Sequence, residues 1–135
     1  MTFGKVSRER LDTCNYQLQK VMKLAIQRTF VDFGIAEGNR SLERQKELFA
    51  KGLTTKDGVI TFSKHNSMPS MAVDIFGWVN GKECYTVAVM CYLAGVIQSC
   101  AAELNIPIRW GGNWDQDGEI ITDQTFQDLP HFELV

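Results

Sequence analysis

Apolar residues at Leu11, Cys14, Leu18, Val21, Met22 and Ala25 recur at helical spacing. They predict one amphipathic helix over about residues 8–28, with Ser7 as its N-cap. Phe33–Ala36 reads as a short strand. Ser41 then starts a second helix that runs through Leu48, Phe49 and Ala50 to a stop at Gly52. Residues 53–70 are rich in Thr, Ser, Pro and an Asp-Gly pair, which predicts a loop with a strand at Val59–Phe62. Met71–Phe76 reads as a buried strand, followed by a turn at Asn80-Gly81. Thr86–Leu104 is the most apolar stretch and is nearly long enough to span a bilayer. Gln98, Ser99 and Glu103 interrupt it and no basic flank anchors it, so a buried central helix is expected, stopped by Pro107. Ile108–Trp110 and His131–Leu134 read as closing strands. Helices and strands do not alternate regularly and no internal repeat is visible, which predicts an α+β domain rather than a doubly wound one.

With 135 residues at 15.3 kDa and 44% apolar residues, the chain suits a single domain over 1–135 with a real core. Charge divides unevenly. Met1 to His65 carries 12 basic and 7 acidic residues (+5), and Asn66 to Val135 carries 2 and 9 (−7). The acidic half suits cations, and the basic half has no Lys/Arg run, so no nucleic-acid partner is expected. Cys14, Cys84, Cys91 and Cys100 show no C-x-x-C spacing. Cys14, Cys91 and Cys100 lie in helical apolar patterns and are expected to be core thiols. Met1-Thr-Phe-Gly-Lys lacks the apolar core of a signal peptide, so synthesis in a reducing cytoplasm is expected.

The chain has only two histidines, and each sits in a polar cluster. In Ser63-Lys-His65…Ala72-Val-Asp74, a carboxylate stands inside an apolar strand, where it is costly to bury without a metal or a strong partner. In Asp128-Leu-Pro-His131-Phe-Glu133, a second carboxylate precedes the other histidine by three residues. Two imidazoles and one carboxylate form a common catalytic zinc set that leaves a fourth position for water. A carboxylate outside that set can take the water's proton. By residue type, Asp74 would be the ligand and Asp128 the base. Each histidine alone also suits a structural role, and Asp128 also suits a turn before Pro130.

Taken in order, Ser63-x-His65…Ala72-x-Asp74, Trp110-Gly-Gly-Asn-Trp114 and Asp128-x-x-His131-x-Glu-Leu resemble the zinc peptidoglycan peptidases of the VanY-like D,D-carboxypeptidase and L-alanyl-D-glutamate endopeptidase group. The short phage endolysins of that group are the nearest likeness. Gly38-Asn-Arg40-Ser41…Gln45…Leu48-Phe49-Ala-Lys-Gly52 extends the resemblance from about residue 33 to the end. It implies a Hedgehog/D,D-peptidase type of α+β fold, a short antiparallel sheet packed with about three helices. It implies zinc held by His65, Asp74 and His131, with Asp128 as catalytic base. It further implies Arg40 on the substrate or the developing oxyanion, and Ser63 in contact with substrate. One departure is that eight residues rather than six separate His65 from Asp74, with Met68-Pro69 and no glycine among them. The Asn66–Met71 loop should therefore be shaped as in an endolysin branch with a proline there.

Other residues have two readings each. Trp110 and Trp114 either line a substrate groove or pack, and Trp114 is carried as a substrate contact. Trp78 is expected at the core or a sheet edge, and Gly111-Gly112 at a bend. Glu133 alternates with His131 along one strand, and so either supports the metal site or forms a surface ion pair. Asn113-x-Asp115-x-Asp117-Gly118 imitates the start of a calcium loop, but Gln124 stands where a bidentate carboxylate belongs. A polar turn and a weak Ca2+ site both fit.

The function expected is zinc-dependent hydrolysis of the L-alanyl–D-glutamate bond in the peptidoglycan stem peptide, by a monomer without stable membrane insertion. The resemblance places its action at the cell wall after membrane permeabilisation. The alternatives are a D,D-carboxypeptidase releasing D-alanine and a non-catalytic wall-peptide-binding relative.

Overall fold

Two unlike faces of one antiparallel sheet divide the molecule into a core side and a polar side. The computed structural model describes residues 1–52 and 63–135, so the strand expected at Val59–Phe62 lies outside the described residues. The strands are β1 (Asp32–Glu37), β2 (Ala72–Val79), β3 (Lys82–Cys84), β4 (Ile108–Gly111) and β5 (Asp128–Leu134). Their order is β1-β2-β5-β4, with β3 paired to the far end of β2. Alternation along the strands sends Ile35, Val73, Ile75, Phe132 and Leu134 into the core. It sends Asp74, His131 and Glu133 to the other face, since Asp74 pairs with His131 and Ala72 with Glu133.

The described residues contain four α-helices rather than about three, because the segment expected as one helix is two: α1 (Lys5–Leu11) and α2 (Tyr16–Arg28). Leu11, Cys14 and Leu18 are all buried, so the apolar spacing runs straight through the break. The break itself comes from long-range pairing. Asn15 N–H donates to the Ser70 carbonyl and Ser70 N–H to the Thr13 carbonyl, both at 2.8 Å. Asn15 then caps α2 by accepting from Gln17 N–H. Ser7 is not a cap. It lies within α1, and its Oγ accepts from the Ile35 N–H.

The α3 helix (Leu42–Ala50) starts at Ser41, whose side chain accepts from Arg44 N–H, and Gly52 follows it at φ 72°. Asn80 and Gly81, at φ 53° and 74°, make the tight turn that joins β2 to β3. The α4 helix (Val87–Glu103) starts at Thr86 and buries Met90, Leu93, Ala94, Ile97, Cys100 and Ala101. It is a core helix on one side only, since Val87 and Tyr92 are exposed. Asn105, at φ 57°, ends it before Pro107 is reached, with Ile106 N–H returning to the Ala101 carbonyl. No helix among the described residues is long and apolar enough to cross a membrane.

Cys14 and Cys100 are buried as expected, whereas Cys91 and Cys84 are half-buried. Burial pushes the Cys14 thiol up to about 12.

Candidate metal centre

His65, Asp74 and His131 arrive from three elements and meet on the polar face. His65 lies in a 3-10 turn, Lys64–Asn66. Ser63 caps this turn by accepting from the His65 N–H, while Asn66 Oδ1 accepts from the Ser63 N–H. Asp74 is on β2 and His131 is opposite it on β5. His65 Nε2 is 3.2 Å and His131 Nδ1 3.1 Å from Asp74 Oδ1, and the two nitrogens are 3.3 Å apart. Tetrahedral ligands at about 2.0–2.1 Å from zinc stand about 3.3–3.4 Å from one another. The three donor atoms therefore match the edges of such a tetrahedron and can hold a metal ion.

The outward nitrogens fix which atom of each ring faces inward. His65 Nδ1 is 2.8 Å from the Gly38 carbonyl, an acceptor only, so Nδ1 donates there and Nε2 is the atom that faces the cluster. His131 Nε2 is 2.9 Å from Glu133 Oε1, so Nδ1 faces the cluster. Glu133 is itself clamped by Arg109 at 2.7 Å and Lys64 at 3.2 Å, and is only 6% exposed. This arrangement resolves the two readings of Glu133 in favour of support for His131.

Charge pairing within the cluster sets the direction of each pKa. Burial acts to raise the Asp74 pKa, but hydrogen bonds from His131 and His65 hold it well below the usual carboxylate range. Burial acts to lower that of His131, but Asp74 and Glu133 push it up to about 9. Glu133 is brought down to about 2 against its burial by His131 and Arg109.

Asp128 opens β5, which begins three residues earlier than expected, so Asp128 belongs to a strand rather than a turn. Its Oδ2 is 3.8 Å from His131 Nδ1, beside the cluster-facing nitrogen. Burial, reinforced by the charge of Asp74, raises its pKa. Gly111 makes this placement feasible. Gly111 pairs with Asp128 across an irregularity in the β4–β5 ladder, and a Cβ on it would fall 2.0 Å from the Asp128 carbonyl oxygen.

Arg40 lies beside Asp74, with its Nη2 3.8 Å from Asp74 Oδ2. Glu37 holds its guanidinium in a fork at 3.1 and 2.9 Å. A bulge in β1 after Ile35 turns Glu37 to the Asp74 side of the sheet. Sequence patterns gave no sign of Glu37, Gly38, Lys64 or Arg109 as supports. Only the adjacency of Gly38 to Arg40 and of Lys64 to His65 pointed towards them.

Trp110 is buried and donates its indole N–H to the Leu129 carbonyl, so it packs. The Trp114 ring centre is 5.6 Å from that of His131, with the Arg109 guanidinium over its ring and Phe126 stacked on it. Asn113 spends its side chain on the Asp117 backbone, accepting from N–H and donating to the carbonyl. Asp115 and Asp117 come together with Asp123 instead, and all three are exposed. The Asn66–Met71 loop contains a cis Met68-Pro69 bond and is tied to Asn39, whose side chain donates to the Ser67 carbonyl.

Comparisons with known proteins point to one family. The family model described as phage L-alanyl-D-glutamate peptidase matches residues 1–135. The L-alanyl-D-glutamate peptidase of Escherichia phage T5 is 29% identical over 119 residues, covering 87% of this chain and 84% of that protein. The crystal structure of the Serratia marcescens L-Ala D-Glu endopeptidase ChiX superposes with a TM-score of 0.81 at 27% identity, covering 99% of this chain and 90% of that one.

Proposed function

Since the chain belongs to the phage L-alanyl-D-glutamate peptidase family, we propose that it hydrolyses the L-alanyl–D-glutamate bond of the peptidoglycan stem peptide, with zinc held by His65 Nε2, Asp74 Oδ1 and His131 Nδ1. The observation that carries this reading is the triangle of donor atoms at 3.1–3.3 Å, with the opposite nitrogen of each histidine anchored. Zinc at such a site supplies Lewis-acid polarisation of the scissile carbonyl and lowers the pKa of water to about 7.

The chain's own groups do the rest. Asp128, with its raised pKa, accepts a proton from the attacking water and later returns it to the leaving amine. Arg40, oriented by Glu37 beside Asp74, offsets negative charge on the carbonyl oxygen. Trp114, beside His131, forms one wall of the substrate groove. Ser63 contributes chiefly by capping the turn that carries His65, and any contact with substrate comes from the same edge. Residues 1–135 carry this catalytic machinery, and the chain acts as a monomer that reaches the wall after membrane permeabilisation. The Asp115–Asp117–Asp123 loop needs no calcium in this scheme, and a calcium titration of lytic activity at fixed zinc should give a flat response.

Product analysis on purified wall fragments tests the bond assignment. New amino termini on D-glutamate support the endopeptidase. Release of D-alanine supports a carboxypeptidase instead. Wall binding without turnover at saturating zinc supports a non-catalytic relative.

A further inference from the structure

We propose that Trp78 and Phe76 form a saccharide subsite that seats the glycan end of the wall substrate. This rests on the peptidase reading above and adds a binding site to it. Asp74, Phe76 and Trp78 alternate along β2 and so share the polar face. The tip of the Phe76 ring lies over Gly34, where a Cβ would stand 2.3 Å from it, and the Phe76 and Trp78 rings meet edge to face at 6.4 Å between centres. Trp78 is 43% exposed.

Trp114 is already engaged by Phe126, Arg109 and the Phe126 carbonyl. The Trp78 indole N–H makes no hydrogen bond among the described residues, and the residue is exposed. Asp32 and Glu83 flank it in register on either side. An apolar ring between two carboxylates suits a neutral polyhydroxylated ring, whose CH face covers the indole and whose hydroxyls donate to the carboxylates. It disfavours an anionic ligand.

Spacing agrees with this occupant. Four strand residues at about 3.3 Å each put Trp78 about 13 Å from Asp74. In the stem peptide, L-alanine joins the muramyl sugar through a lactyl group. Two extended units of about 3.5 Å therefore separate the scissile bond from the first sugar by about 7 Å. The sugar rings then fall over Phe76 and Trp78.

The test uses the zinc-loaded chain and two readouts. Titration with the disaccharide bearing only L-alanine, which has no scissile bond, should shift the Trp78 indole N–H resonance. Trp78→Ala should weaken that binding about tenfold, the upper range for one aromatic contact, and Trp78→Tyr should restore most of it. In kinetics, Trp78→Ala should lower kcat/KM about tenfold on a disaccharide-tetrapeptide and leave the sugar-free tetrapeptide unchanged. An unmoved indole, an equal loss on both substrates, or no loss on either overturns the subsite, as does a response to a primary amine alone. If the wild-type chain cleaves neither substrate, the peptidase reading fails, and the titration still decides the subsite.

Discussion

The two histidines of the centre each bring a ring nitrogen to Asp74, but with different kinds of support. His65 is held by main chain. Its ring bonds to the Gly38 carbonyl, its own carbonyl accepts from Arg40 N–H, and Gly38 is pressed against Thr13 and Arg10. His131 is held by side-chain charge, through Glu133 and its two cations. A ring held by backbone depends on close packing and is exact only if the loops around it stay packed. A ring held by a buried carboxylate depends on charge and hydrogen bonding, with the fold already fixed by the β2–β5 ladder. Damage to the first should appear mainly as lost stability, and damage to the second mainly as lost metal affinity.

The largest expected effect falls on both supports at once. Asp74→Ala removes the oxygen shared by both rings and should abolish zinc binding and activity, read by metal content and wall lysis. Asp128→Ala comes next. It should leave zinc bound while turnover drops about 10²- to 10⁴-fold, the usual contribution of a general base. A fully active Asp128→Ala protein contradicts the base assignment.

Two smaller changes separate the supports. Gly38→Ala places a methyl 2.3 Å from Thr13 Oγ1 and 2.4 Å from the Arg10 carbonyl oxygen. It should destabilise the fold by about 1–3 kcal/mol in urea unfolding, as overpacking does. Glu133→Gln keeps the volume but removes the charge facing His131, Arg109 and Lys64. It should weaken zinc binding about 10- to 100-fold in chelator competition, as is usual when a ligand's hydrogen-bond partner is changed. If Gly38→Ala spares stability, or Glu133→Gln spares zinc affinity, the contrast between the two histidines collapses.

Most of the centre could be read from residue order. His65, Asp74, Asp128, His131 and Arg40 sit in short motifs whose chemistry is carried by residue type, and the structure brings them together on one face. The Ser41 cap and the Asn80-Gly81 turn were legible because their signals are local. The break between α1 and α2 was not, because Leu11, Cys14 and Leu18 keep helical spacing while Ser70, more than fifty residues away, pairs with the intervening backbone. The supports were hidden for the same reason. Glu37 reaches Arg40 through a strand bulge, and Arg109 reaches Glu133 through a strand register, neither of which leaves a trace in composition.

The central claim is that His65, Asp74 and His131 together form one zinc site. Calorimetric zinc titration of the metal-stripped chain beside Asp74→Ala, both verified as folded by circular dichroism, tests it most directly. One equivalent bound tightly by the wild-type chain and none by Asp74→Ala is the predicted result. Unchanged stoichiometry and affinity in Asp74→Ala, or no binding by the wild-type chain, would contradict it.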